Sequence, residues 1–88
     1  MISVIKKTEK EFNVTVQEGA SQTNHSVTVD DSYYRSLTGK KISKEELITI
    51  SFKFLLEHEQ KESILREFNL RVIQDYFPEY EKKIKTGV

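Results

Sequence analysis

The chain contains no cysteine. No disulfide framework and no thiolate metal site can therefore be built, a composition that fits a reducing compartment. Only three glycines occur, Gly19, Gly39 and Gly87, too few and too scattered for a loop that cradles phosphate. There is one proline, Pro78. Long apolar runs are missing too. The longest is Phe54-Leu55-Leu56, so no segment is predicted to span a membrane. The start, MISVIKKTEKEF, has no apolar stretch with a small-residue cleavage site and does not read as a signal peptide. Together these absences predict a soluble, cytoplasmic protein.

Charge of one sign is also lacking. Lysine plus arginine number 14, as do aspartate plus glutamate. Nucleic-acid binders draw most of their affinity from neutralising phosphate, so a neutral chain with interleaved signs argues against that class of partner. Eighty-eight residues make one domain with a small core, a size that often gains from a partner subunit.

Phe12-Asn13-Val14-Thr15-Val16 and His25-Ser26-Val27-Thr28-Val29 alternate apolar and polar residues, the mark of half-buried strands. Between them QEGASQTN reads as a hairpin loop. Ile2 and Val4 either begin the first strand or form a short extra one. Residues 1–30 are thus predicted as an antiparallel hairpin whose apolar face needs helices to cover it. Asp30-Asp31-Ser32 can cap a short helix over 31–39 that ends at Gly39. Ser43 and Glu46 form a capping-box pattern, which predicts a helix start at Lys44.

The helix expected over 43–60 is apolar on more than one side. Leu47, Ile48, Phe52, Leu55 and Leu56 make one face, and Ile50 and Phe54 widen it. A surface helix needs a narrower arc. This one is either the centre of the domain or part of a subunit interface. Glu57 to Lys61 can continue the helix or break it. Residues 62–85 are predicted as one or two C-terminal helices, bent near Phe77 by Pro78. The predicted class is α+β: an N-terminal antiparallel β-hairpin, a short helix, a long central helix and C-terminal helices packed on it.

Two motifs suggest chemistry and fail on inspection. HEQKE places His58 and Glu62 four apart with Glu59 between, as in a zinc-protease helix, yet the second histidine is absent. ILREFNLRVI sounds like a helix-turn-helix, but Val72 and Ile73 come too early and Asp75 falls where a buried residue belongs. No serine sits in a nucleophile elbow, and no residue set offers nucleophile, base and oxyanion donors together.

The stretch from Tyr33 to Glu81, with its L-T-G, S-F-K-F-L-L-E and Y-F-P-E-Y runs, resembles a small, widespread group of bacterial proteins of unknown function. The resemblance implies a bacterial origin and one intact domain, and no mechanism. The expectation is a non-enzymatic, self-associating interaction protein with no cofactor, metal or evident small-molecule substrate, acting on its own copies or on another protein. Its interface candidates are Ile50, Phe52, Phe54, Phe77 and Tyr80. The alternative is a small transcription regulator or antitoxin-like protein using its C-terminal helices on DNA or a partner. A small-molecule or metal binder is a third, weaker reading.

Overall fold

The structure, a computed structural model, describes residues 1–87. Its N-terminal third is a meander of three antiparallel strands, β1 (Ile2–Lys6), β2 (Glu11–Glu18) and β3 (Ser21–Thr28). Helices α1 (Asp31–Thr38) and α2 (Lys44–His58) follow. A single 3₁₀ turn, Lys61–Ser63, leads into β4 (Glu67–Asn69), then α3 (Val72–Tyr76) and α4 (Tyr80–Thr86). The class is α+β, as the sequence predicts.

The predicted hairpin is longer at its turn than expected. QEGASQTN is mostly strand: Gln17 pairs with Gln22 and Glu18 with Ser21, leaving only Gly19-Ala20 as the turn. Gly19 has φ +62°, the left-handed conformation that a two-residue hairpin turn requires and glycine adopts without strain. Small polar residues read as loop by composition, but pairing satisfies their backbone groups all the same. Ile2 and Val4 lie on a separate strand, which pairs with β2 from Ile2↔Val16 to Lys6↔Phe12 without a bulge.

The C-terminal third corrects the expectation of helices throughout 62–85. Glu67–Asn69 is a strand lying parallel to β3, so the sheet order is β1-β2-β3-β4. The path from β3 through α1 and α2 back to β4 is the helical crossover that parallel neighbours require. Asn69 therefore ends a strand. Its amide donates to Asp30 (3.2 Å), and its side-chain oxygen accepts from the Arg71 N–H (3.1 Å). With β4 in the way, ILREFNLRVI forms no helix-turn-helix.

The core lies between one face of the sheet and the helices. Phe12, Val14, Val16, Val27 and Val29 meet Leu47, Ile48, Phe52 and Leu55 of α2. The α2 start is as predicted: the Ser43 hydroxyl accepts from the Glu46 N–H, and the Glu46 carboxylate accepts from the Ser43 N–H, both at 3.0 Å. The helix ends at His58, and Glu59 is already extended. On its far side α2 is closed by an aromatic group in which Phe54 sits 5.7 Å from Phe77 and 5.4 Å from Tyr80, centre to centre.

Candidate functional site: the free edge of the sheet

The breadth of the apolar arc on α2 is explained by the chain itself. Phe52 and Tyr80 are 0% exposed and Phe54 4%, all three inside the core. Of these interface candidates, Phe52 packs against His25 and Phe68 of the sheet, and Phe54 against Phe77 and Tyr80 of the C-terminal segment. Ile50 and Phe77 remain half-buried at the surface, in different places.

Buried polar groups are likewise committed to structure. Ser51 donates to the Leu47 carbonyl (2.7 Å), which leaves its oxygen to accept from the Tyr80 hydroxyl (2.6 Å). Burial pushes the Tyr80 hydroxyl well above the usual tyrosine range. His25 lies edge-on to Phe52. Its Nδ1 donates to the Leu65 carbonyl (2.8 Å), so Nε2 accepts from Thr23 (2.9 Å). Burial holds His25 below the ordinary histidine value, against the opposing pull of the Leu65 hydrogen bond. His58, Glu59 and Glu62 do not share a helix face, because α2 has ended. Glu62 instead pairs with Lys61 at 2.8 Å. Among the described residues no group of three or more histidine or acidic side chains converges as a metal site.

Two of the surface openings are bordered by exposed or half-buried apolar side chains. One is a cleft of about 130 Å³ between the end of α2 and α3, walled by Leu55, Ile64, Phe68 and Phe77. Leu65 (46% exposed) and Tyr76 (65%) belong to the same lining. It has room for one small side chain, and Glu59 and Ser63 are the polar groups of its lining besides the Tyr76 hydroxyl.

The other opening lies along β1. Among the described residues β1 has a neighbour on one side only. The Met1 and Gln17 backbones exchange hydrogen bonds, at 2.6 and 2.8 Å, and the Lys7 N–H donates to Glu11 at 2.8 Å. Inward-directed pairs alternate along an antiparallel ladder. Met1, Ser3, Ile5 and Lys7 therefore bond to β2, while Ile2, Val4 and Lys6 aim their N–H and C=O groups outward. Beside this row Val4 lines a shallow, open concavity with Glu45, Glu46, Thr49 and Ile50 of α2. On the opposite face of the sheet Ile5 is 64% exposed.

No family model, curated protein or solved structure matches the chain.

The edge lacks most of the devices that block edge pairing. It holds no proline and no bulge, and its one charge, Lys6, sits at the strand's end, paired with Glu9 at 2.9 Å. Ile2, Val4 and Ile5 are not among the interface residues that the sequence predicts. The signal that marks them is Ile5, an apolar residue next to Val4 in a strand that otherwise alternates. One of two adjacent apolar residues must face away from the core.

Proposed function

We propose that this protein is a non-enzymatic protein–protein interaction module that binds a β-strand of its partner along the free edge of β1. The observation that carries the reading is the unpaired backbone row on Ile2, Val4 and Lys6, flanked by the apolar side chains of Val4, Ile50 and Ile5. Strand addition uses these two elements: backbone hydrogen bonds supply affinity, and alternate side chains supply selectivity. A catalytic role finds less support. Ser51 and Tyr80 spend their hydrogen bonds on each other and on the Leu47 carbonyl, and His25 spends its two on Thr23 and the Leu65 carbonyl. The even balance of charge and the strand at Glu67–Asn69 likewise speak for a protein partner over DNA.

Val4→Pro tests the reading. Proline removes the outward N–H of Val4 and leaves the inward bonds of Ser3 and Ile5 in place, a substitution that edge strands tolerate. Wild type, Val4→Pro and Ile50→Glu serve as baits for affinity capture from the cells that make the protein, with circular dichroism as the check on folding. At least one protein, the chain's own copies included, is expected to be retained by wild type and released by both folded variants. An identical retained set for all three baits would overturn the proposal.

A further inference from the structure

We infer that the strand received by the β1 edge is β1 of a second copy, docked antiparallel about a two-fold axis at Val4. The inference rests on the reading of β1 as a binding edge and names its occupant.

The edge is self-complementary in a way that an arbitrary strand is not. Its outward groups lie on Ile2, Val4 and Lys6, evenly spaced about Val4. A two-fold there sets Val4 against Val4 of the second copy and Ile2 against Lys6 in both directions. Each pair then exchanges an N–H and a C=O with its opposite number, as closely spaced antiparallel pairs do. Lys6 faces Ile2 and not a second Lys6, and its aliphatic stem can lie over that side chain. On the outer face exposed Ile5 falls opposite Ser3.

The helix beside the edge obeys the same symmetry. Lys44 at the start of α2 donates to the Glu9 carbonyl (2.8 Å), beyond the C-terminal end of β1, and the Glu45 carboxylate acts on Lys6. The next turn of α2, with Thr49 and Ile50, lies beside Val4. Thus α2 runs back along β1 in the opposite sense, and a two-fold that reverses the strands also sets the two α2 helices antiparallel. On its exposed stripe Glu46 lies one turn before Ile50 and Lys53 about one turn after. Near Ile50 the axis therefore brings Glu46 of each copy toward Lys53 of the other, with the two Ile50 side chains between. Opposite charges on either side of a central apolar contact, generated by symmetry from one helix, single out a second copy as the occupant.

Sedimentation velocity across a micromolar concentration series tests the inference. Wild type is expected to approach twice the chain mass at high micromolar concentration, and Val4→Pro to stay at the chain mass. Lys53→Glu sets glutamates against each other, and Glu46→Lys does the same with lysines. Each variant alone is expected to weaken association by roughly tenfold or more, since like charges are costly at an interface. An equal mixture of the two restores both opposite-charge contacts and is expected to recover the dimer. Glu46→Lys also removes half of the capping box, so its helix content is checked by circular dichroism.

A monomeric wild type overturns the inference, and the capture experiment then decides separately whether the edge serves a different partner. A dimer that survives Val4→Pro places the contact elsewhere and overturns it as well. A dimer that is lost in Val4→Pro but indifferent to both charge variants overturns the register about Val4.

Discussion

At the scale of single residues, the pair Ser51–Tyr80 shows how one hydroxyl can carry two duties. Ser51 satisfies the Leu47 carbonyl and receives the Tyr80 hydroxyl, both out of reach of water. The consequences of deleting either member differ. Tyr80→Phe removes a donor and leaves Ser51 bonded to Leu47, so the expected loss is about 1 kcal/mol. Ser51→Ala strands the Tyr80 hydroxyl in the core, which costs about 1–3 kcal/mol. Chemical denaturation should rank Ser51→Ala as the more harmful of the two. The reverse order would contradict the bonding pattern. Neither partner was legible as a pair from the chain, since 29 residues separate them and a serine on an apolar helix face carries no sequence mark of its partner.

Among the elements, those that local chemistry dictates were readable and the one that tertiary context dictates was not. The capping box at Ser43 and Glu46, the left-handed Gly39 after α1 and the alternation in β2 and β3 each express a backbone requirement through nearby residues. Strand β4 expresses nothing local. It spans three residues between helical stretches, and it is a strand because the Ser26 N–H donates to the Arg66 carbonyl (2.7 Å) and the Leu70 N–H to the Thr28 carbonyl (2.8 Å). His25 reinforces the same seam by donating to the Leu65 carbonyl. Because burial lowers its pKa in the folded chain, the unfolded chain binds the proton more readily below the ordinary histidine value. The stabilisation is full above about pH 6.5 and is lost as pH falls below it. Thermal unfolding should occur at a lower temperature at about pH 5.5 than at about pH 7, and His25→Gln should shrink that difference. An equal pH dependence in the variant would mean that His25 is not the group responsible.

For the molecule as a whole, the breadth of the apolar arc on α2 admitted two explanations, a central position or an interface. Sequence periodicity counts apolar residues around a helix, but it cannot say which of them the chain's own later segments will cover. Tyr80 and Phe77 return over Phe54 and account for one flank of the arc. The sheet covers the other, leaving Ile50 beside Val4 at the edge. Of the five residues first assigned to an interface, Ile50 is the one that borders the proposed binding edge. The site itself was only partly visible beforehand, because an edge is a property of strand order, and strand order depends on β4 occupying the far side of β3. Among the described residues no helix is long and apolar enough to cross a membrane.

The central claim is that the outward backbone groups of β1 pair with those of a second copy. Residue-resolved amide hydrogen exchange across a concentration series tests it most directly. The Ser3 and Ile5 amides, bonded to β2, should be protected throughout. Those of Ile2, Val4 and Lys6 should exchange rapidly in dilute protein and become protected as concentration rises. Rapid exchange at these three positions at every concentration, with Ser3 and Ile5 protected, would contradict self-association through this edge.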